Sequence, residues 1–381
     1  MRTAVTAILK FFSEADVFLL ALSLMSATYG TILISSIAIA DGNQLYVQIG
    51  AIIIGVGLFI LFSYIDIDII ADKSKLLFIF SMLFISTLLI WGVGDDVGRV
   101  AWLRFFDIGI QPAEIVKIPF IIIIAKMITN FKERKTLHSV MSLLQIVVVF
   151  AISFGFVMIV SEDIGTALIY FAILVGMLFV GGIKLRWFAF GGAIIATVFP
   201  FLLDNVFKPH QRARILSPFP FSADMVDPVE LARVRWQPDQ SVAAISSGGF
   251  RGQGLGSGRL TQGRGIPAQH TDFIFSAAGE ELGFVGCILI VALLVAIIVR
   301  CIYVGTKSNN PLGMLVCTGI ASKLIAQTIE NIGMALGLMP VIGITLPFFS
   351  YGGSSIVTCF AAMGIVSGIK MRPKPVRFRS L

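Results

Sequence analysis

The chain has 381 residues, of which 57% are hydrophobic and only 13% charged, and its formal net charge is +7. A soluble fold of this length could not bury so much apolar surface, so the composition excludes a soluble globular protein and indicates one embedded in lipid. The four cysteines fall in or at the ends of apolar segments and lack the spacing of a metal site or a disulfide framework. We expect them to be small core residues.

Ten apolar segments along the chain are long enough to cross a bilayer as helices, which takes roughly 20 mostly apolar residues. Six of them contain no charged residue: 17–40, 42–65, 76–94, 139–161, 164–183 and 187–203. The other four are 112–127, 273–299, 311–332 and 354–369. The sequence therefore predicts an all-α integral membrane protein, with residues 1–381 forming one polytopic domain of about ten transmembrane helices.

Lysine and arginine residues in the short connectors predict the orientation of the helices, because such connectors stay in the cytoplasm. If successive connectors alternate between the two sides, those with Lys73, Lys132, Lys184 and Lys307 share one side with both termini. That side is predicted to be cytoplasmic. The opposite side receives one large extracytoplasmic loop, residues 204–272, between spans seven and eight.

The large loop carries seven arginines and Lys208, interleaved with aromatic residues and glycines. Loops longer than roughly 60 residues escape the charge rule, so this basic character is compatible with the outer side. A solvated surface would explain the charges alone. However, the planar guanidinium group suits phosphate, and the loop begins and ends at the membrane. A phosphorylated lipid headgroup is therefore a better candidate partner than nucleic acid.

Charged residues within the predicted spans are candidate site residues, because they cost several kcal/mol unless they are paired or face water. Glu114 and Lys117 are three residues apart and share one helix face. They either form an ion pair that orients helices or line a hydrophilic cavity. Lys323 and Glu330, two helical turns apart, also share a face and either snorkel or pair with other spans.

Asp272 stands where the large loop returns to the membrane, within the sequence HTDFIF. One interpretation of an aspartate before a helix is an N-cap. A second is that partial desolvation raises its pKa toward a value useful for abstracting a proton. Asp163, just before a predicted helix start, is expected to be a cap. Glu280 and Glu281 near the start of the eighth span are interpreted as structural caps as well.

Several motifs follow one another from Gln111 onward. They include QPAEIVK from Gln111, DIGTA from Asp163, HTDFIF from His270 and SYGGSS from Ser350. In this order they resemble the SEDS (shape, elongation, division and sporulation) glycosyltransferases, typified by RodA and FtsW. The segment PVIGI from Pro340 is more similar to RodA, whereas GEE before Leu282 is more similar to FtsW, which gives a slight preference for the RodA type.

The resemblance implies a bacterial enzyme that polymerises the peptidoglycan precursor lipid II at the outer face of the cytoplasmic membrane and releases undecaprenyl pyrophosphate. It implies that Asp272 is the general base for an inverting transfer. The pyrophosphate charge would be met by Lys117, Arg214 and other loop arginines. No cofactor is certain, and divalent metal (Mg or Mn) is a further expectation. The candidate substrate-binding residues are Lys117, Glu114, Arg214, His270, Thr271, Ser354 and Ser355.

The chain departs from the family pattern at three positions. Ala113 replaces a serine and removes a hydroxyl group, while Glu162 replaces a proline and adds a charge. Ala268 replaces an acidic residue that is common just before the HTDF element. A mechanism that uses a second carboxylate at this last position is therefore excluded.

Two other functions are compatible with a basic outer loop and polar intramembrane residues: a flippase or transporter for lipid II, and a non-enzymatic scaffold of the cell-wall synthesis complex. Transporters often contain internal repeats, and the two halves of this sequence show none. The resemblance further implies a class B penicillin-binding protein transpeptidase as partner, besides other elongasome or divisome membrane proteins. Whether the chain acts in elongation or division stays open.

Overall fold

A computed structural model describes residues 11, 13–37, 42–94, 100–105, 108–161, 163–205 and 207–372 of the chain. Glu162 and the two terminal segments, 1–10 and 373–381, lie outside these residues, so the predictions made for them have no structural counterpart.

Long helices dominate the fold, joined by shorter helices and a small sheet. The long helices are α1 (Val17–Ser36), α2 (Gly42–Tyr64), α4 (Ser74–Ser86), α6 (Pro112–Glu133), α7 (Val140–Ser161), α8 (Ile164–Gly181), α9 (Leu185–Asn205), α12 (Pro228–Gly248), α14 (Ile274–Lys307), α15 (Pro311–Ala335) and α16 (Gly353–Met371). The short ones are α3 (Ile67–Asp72), α5 (Leu88–Trp91), α10 (Pro209–Leu216), α11 (Ser222–Met225) and α13 (Arg259–Gln262). The strands are β1 (Gly92–Val93), β2 (Trp102–Phe105) and β3 (Ile108–Ile110), in antiparallel order β1-β2-β3.

The predicted all-α membrane fold is confirmed, whereas the large outer loop stays a prediction. Among the described residues, nine helical segments are long and apolar enough to cross a bilayer, with α4 and α5 forming one of them. The tenth predicted span is α6, whose 22 residues include Glu114 and Lys117. Each predicted span starts within two residues of the observed helix, whereas α6 and α14 extend six and eight residues past their predicted ends.

Local signals in the sequence account for several helix boundaries. Asp16 caps α1 by accepting the N–H of Leu19 at 3.2 Å, and Asp163 caps α8 by accepting the N–H of Thr166 at 2.9 Å. This confirms the capping role predicted for Asp163. Prolines occupy the first turns of α6, α12 and α15, where no backbone donor is required.

The centre of the bundle consists of α16, α15 and α6. Among the spanning helices, these three have the largest share of buried residues. Helix α16 lies against α2, and Gly364 allows its backbone to approach that of Phe59. Small residues permit such close helix packing inside a membrane. By contrast, none of the residues of α9, all of which the structure describes, is buried.

Helix α14 is broken near its start at Gly283, where φ is 68° and ψ is −162°. A residue with a Cβ rarely adopts this conformation, so glycine is required there. The break separates a short segment, residues 274–282, from the long membrane-spanning remainder. The short segment follows Asp272 directly and therefore determines where this residue lies.

The region 204–272, predicted as one large loop, contains the helices α10, α11, α12 and α13. Its glycine-rich part runs beside the break in α14. Gln253 and Gly254 donate backbone hydrogen bonds of 2.9 Å to the carbonyls of Glu280 and Glu281, and Phe284 donates one of 2.9 Å to Gly249. These bonds satisfy backbone groups that the break leaves without partners in the helix.

Candidate functional site

Asp272 belongs to a tight turn that leads from the region 204–272 into α14. The carbonyl of Ala268 accepts the N–H groups of Thr271 and Phe273 at 3.0 and 3.2 Å. Ala268 itself has φ 43°, which is uncommon for a residue other than glycine, so the turn carries local strain. Asp272 is partly exposed, whereas the next residue, Phe273, is buried. The aspartate therefore lies at the boundary between the packed bundle and solvent.

Three consecutive carbonyl groups anchor this turn. The carbonyl of His270 accepts the N–H of Tyr351 at 2.8 Å, and that of Thr271 accepts the hydroxyl of Ser350 at 2.6 Å. The carbonyl of Asp272 accepts the side-chain amide of Asn331 at 2.8 Å. Because each carbonyl is held from a different direction, the backbone position of Asp272 is fixed before any substrate binds.

The donors to these carbonyls are themselves fixed. The same Asn331 nitrogen donates to the carbonyl of Ile344 at 2.7 Å, and the hydroxyl of Ser350 accepts the N–H of Leu346 at 2.7 Å. The segment between α15 and α16 is thus tied to the turn that carries Asp272. This segment contains the predicted motif from Ser350 onward, so the structure brings that motif into contact with the turn that carries Asp272.

His270 packs edge-on against Tyr351, with ring centroids 5.8 Å apart. Burial lowers the pKa of His270 and raises the pKa of Tyr351. Both side chains are therefore neutral near pH 7. A neutral imidazole two residues before Asp272 can donate or accept one hydrogen bond there without adding a charge.

A second group of site candidates forms a charge cluster in the middle of the bundle. Glu114 is hydrogen-bonded to Lys117 on α6, and Lys323 of α15 lies 3.9 Å from the other carboxylate oxygen. Gln327 donates to Glu114 at 3.5 Å, and Lys323 donates to the thiol of Cys359 at 3.9 Å. All three charged residues are buried. In this conformation they are paired and closed to solvent.

One face of α15 connects the charge cluster with Asp272. Lys323, Gln327 and Asn331 follow one another at intervals of four residues, so they lie in a row along the helix. The first two contact Glu114, and the third holds the carbonyl of Asp272. At a rise of 1.5 Å per residue the row is roughly 12 Å long. It ties both the buried charges and the backbone of the candidate base to one helix.

Hydrogen bonds from Gln111 join the sheet and α6 to neighbouring helices. Its side-chain amide donates to Asp163 at 2.9 Å, and its N–H donates to the hydroxyl of Ser354 at 3.3 Å. Ser355 shares a hydrogen bond of 3.1 Å with Thr345. The two serines predicted to bind substrate therefore lie at the start of α16, beside the segment that anchors Asp272.

The arginines of the region 204–272 do not act as one group. Arg235 donates three hydrogen bonds of 2.9 to 3.1 Å to Ser217 and Ser222, which fixes α12 against α10 and α11. Arg212 pairs with Asp204 at 3.1 Å. Arg214 lies on α10 and is partly exposed. At least two of the seven arginines therefore stabilise the local structure. Fewer arginines are then candidates for binding a phosphate group.

Glu280 and Glu281 are buried and hydrogen-bonded to neutral donors. Glu280 accepts the N–H groups of Leu260 and Thr261 at 2.8 and 2.7 Å, at the start of α13. Glu281 accepts the hydroxyl of Ser36 at 2.5 Å and the amide of Gln262 at 2.9 Å. The interpretation of Glu280 as a cap is confirmed, although the helix that it caps is α13 rather than its own.

The residues around Asp272 offer few ligands for a divalent cation. Within the part of the chain that the structure describes, no three His, Cys, Asp or Glu side chains lie close enough together to hold a metal ion. Ala268 also lacks the carboxylate that its position would otherwise supply. The protein side chains therefore fit a resident metal poorly, and Mg or Mn binding stays a prediction.

Sequence reasoning did not single out Gln327 and Asn331. Both are uncharged residues in an apolar span, and each makes its contact with a residue more than 50 positions away. The available signal was their spacing of four and eight residues from Lys323, since polar side chains inside a bundle are expensive unless they bind to one another or to backbone.

Comparisons with known proteins find a family, sequences and structures that are similar to most of this chain. A family model for FtsW, RodA and SpoVE, described as cell cycle protein, matches residues 16–374. A protein of Trichlorobacter lovleyi named probable peptidoglycan glycosyltransferase FtsW is 34% identical over 303 residues, 78% of this chain and 76% of that protein. Escherichia coli peptidoglycan glycosyltransferase MrdB is 27% identical over 360 residues, 94% of each protein. A chain from the structure reported as "Structural coordination of polymerization and crosslinking by a peptidoglycan synthase complex" has a TM-score of 0.79 at 26% identity, covering 94% of this chain and 98% of that chain.

Proposed function

Since this chain belongs to the FtsW/RodA/SpoVE family, we propose that it is a peptidoglycan glycosyltransferase that joins lipid II disaccharide units into glycan strands. It is a multi-pass membrane enzyme. The observation that carries the mechanism is the anchoring of Asp272 through three consecutive carbonyls at the edge of the bundle. Such preorganisation is what a general base requires.

In the proposed reaction, the 4-hydroxyl oxygen of the acceptor sugar attacks the anomeric carbon of the donor from the face opposite the leaving group. The new glycosidic C–O bond forms as the bond from the anomeric carbon to the pyrophosphate oxygen breaks. Asp272 takes the hydroxyl proton, and undecaprenyl pyrophosphate leaves with the bonding electron pair. Burial lowers the pKa of His270, two residues before Asp272, so its imidazole adds no positive charge to the turn near pH 7.

We assign the stabilisation of the negative charge on the leaving pyrophosphate to Lys117 and Arg214. Lys117 is bound to Glu114 in this conformation. It can therefore meet a pyrophosphate only if the cluster opens and the ligand replaces the carboxylate as its partner. Arg214 is partly exposed on α10 and needs no such opening. Glu114, Thr271, Ser354 and Ser355 complete the proposed substrate-binding set.

The test is polymerisation of lipid II by purified protein, with and without a transpeptidase partner. We expect the wild type to form glycan strands and both Asp272→Ala and Asp272→Asn to lose the activity while retaining the wild-type melting temperature. Asp239→Asn, which changes an exposed aspartate on α12, is the matched control and should remain active. Polymerisation at wild-type rate by the Asp272 variants would remove the base assignment.

Two further assays on the same purified protein, lipid II transport across vesicles and pull-down of cell-wall proteins, separate the alternative functions. If the wild type never polymerises but moves lipid II across vesicles, a flippase replaces the polymerase. If it does neither and only retains cell-wall proteins in pull-down experiments, the scaffold function replaces both.

Partner and orientation are part of the same proposal. The similar chain of known structure comes from a peptidoglycan synthase complex concerned with polymerization and crosslinking. This supports a class B penicillin-binding protein transpeptidase as partner. The connector charges support cytoplasmic termini in a bacterial cytoplasmic membrane, with Asp272 at the outer face. The sequence identity of this chain to the protein named FtsW is higher than that to MrdB, so the slight preference for the RodA type stays a prediction.

A further inference from the structure

A small basic cavity lies between the ends of α14 and α16, at the opposite end of the bundle from Asp272. Its volume is about 60 Å³, and it is lined by Arg300, Tyr303 and Lys307 of α14 and by Lys370 of α16. The three residues of α14 follow at intervals of three and four, so they share one face of that helix. The cavity is thus a continuous basic surface built by two spanning helices.

Positive charge exceeds negative charge around this cavity. Asp16 is fully buried and accepts hydrogen bonds of 2.8 and 3.1 Å from Arg300, while Lys370 lies 3.8 Å from the same carboxylate. Lys307 has no carboxylate partner among the residues that the structure describes. Asp16 therefore neutralises at most one of the three cations that line the cavity. Two positive charges are left for a ligand.

Tyr303 lies between two of these cations. The guanidinium carbon of Arg300 is 5.1 Å from the centre of its ring, and the ammonium nitrogen of Lys307 is 5.8 Å from it. Contacts with the ring hold both long side chains beside the cavity, so less conformational entropy is lost when they bind an anion.

Exposed apolar side chains lie beside the cavity. The ring of Phe18 lies 5.7 Å from the guanidinium carbon of Arg300 and is 58% exposed. Val299, the residue before Arg300 on α14, is also exposed. A ligand that matched the whole surface would have an anionic head and apolar chains.

We propose that this cavity binds the phosphate headgroup of an anionic phospholipid, whose acyl chains lie along α1 and α14. The lipid would come from the leaflet on the side of the chain termini, which the connector charges predict to be cytoplasmic. Basic clusters between spanning helices at that surface attract anionic headgroups. The site lies across the membrane from Asp272 and does not depend on the proposed glycosyltransferase reaction.

The experiment compares lipids retained by the purified full chain in native mass spectrometry after exchange into mixed micelles of phosphatidylglycerol and phosphatidylcholine. We expect the wild type to retain phosphatidylglycerol preferentially. The double variant Lys307→Gln/Lys370→Gln should lose this preference by about fivefold per lysine. Arg300 and Asp16 stay unchanged, which keeps the tie between α1 and α14. The single variant Lys307→Gln, which removes only the contact with the ring of Tyr303 among the described residues, repeats the test if the double variant is unstable.

Lys73→Gln/Lys75→Gln is the matched control, because it removes two exposed lysines at the same end of the bundle but outside the cavity. Equal retention of both lipids by the wild type, or equal loss in the control and in the cavity variant, would overturn the site. Inorganic phosphate serves as the second ligand. If millimolar phosphate raises the melting temperature as much as phosphatidylglycerol does and displaces it fully, the ligand is a free phosphate and the lipid assignment is wrong.

Discussion

At the scale of single residues, the position of Asp272 depends on a neutral amide. Asn331 bridges the carbonyls of Asp272 and Ile344 with one nitrogen. It does not contact the reacting atoms in the proposed mechanism and is therefore a positioning residue. Its effect on catalysis would pass through the backbone of the turn.

We expect Asn331→Ala to lower kcat by about tenfold to hundredfold with little change in KM, because a displaced base affects chemistry more than binding. The two carbonyls left without a donor also cost about 1–3 kcal/mol each in stability. Lipid II polymerisation kinetics and thermal unfolding give the two readouts. Thr328→Ala on the same helix removes a buried hydroxyl that has no hydrogen-bond partner among the described residues, and should change kcat little. A matching loss of kcat in both variants would contradict a positioning role.

His270 provides a pH-dependent contribution to stability. Burial lowers its pKa in the folded state, whereas the unfolded chain has the ordinary value of about 6.5. Between these two values the unfolded state binds more protons, so stability falls as the pH drops below about 6.5. We expect His270→Gln to reduce this fall in denaturation experiments from pH 7.5 to 5. His210→Gln, which changes an exposed histidine, should leave the wild-type profile unchanged.

At the scale of elements, glycines determine how closely α12 approaches the short first segment of α14. A Cβ on Gly248 would overlap the carbonyl oxygen of Gly279, and a Cβ on Gly279 would meet Ile245 at 2.9 Å. Neither backbone can move without separating the two helices. The contact therefore fixes the segment that follows Asp272.

We expect Gly248→Ala to destabilise the protein by about 3 kcal/mol, at the upper end of the range for overpacking, since the overlapping atom belongs to the backbone. Thermal unfolding in detergent measures the effect. The control is Gly191→Ala on α9, where a Cβ would meet no atom within 4 Å. There the change should be neutral or stabilising, because alanine favours helix by about 0.8–1.0 kcal/mol over glycine.

The elements also show how far sequence reasoning reaches. The second span was predicted at 42–65 and is observed at Gly42–Tyr64. The two agree because an apolar segment of this length in lipid must form a helix to satisfy its backbone hydrogen bonds. The break at Gly283 and the helices α10 to α13 were not predicted. They depend on packing between distant segments, such as the bonds from Gln253 and Gly254 to the carbonyls of Glu280 and Glu281. The roles of the site residues stay predictions.

At the scale of the whole molecule, the buried cluster joins the central helices. Glu114 balances Lys117 from its own helix and Lys323 from α15. Removing the carboxylate would leave two uncompensated cations in the bundle. The cluster therefore affects stability regardless of any role in substrate binding.

We expect Glu114→Gln to destabilise the protein by about 3–5 kcal/mol, and the added substitution Lys117→Met to restore part of that loss, because it removes one unpaired charge. Thermal unfolding tests both, so the result does not depend on enzymatic activity. Asp72→Asn is the control. It breaks the more exposed ion pair between Asp72 of α3 and Lys126, which is on the same helix as Glu114, and should cost at most about 1 kcal/mol. A loss of similar size in both variants would show that Glu114 is less critical than its burial indicates.

The break at Gly283 has a mechanical consequence for an enzyme that works in a bilayer. Spanning helices change their tilt when the hydrocarbon layer becomes thicker or thinner. In α14 the tilting part begins after Gly283, whereas Asp272 is attached to the segment before it. The glycine-rich part is bonded to both sides of the break, to Glu280 and Glu281 before it and to Phe284 after it, and Asn331 anchors the turn separately. The turn that carries Asp272 is therefore attached to more than α14, and its geometry should change less with membrane thickness than the tilt of α14 does.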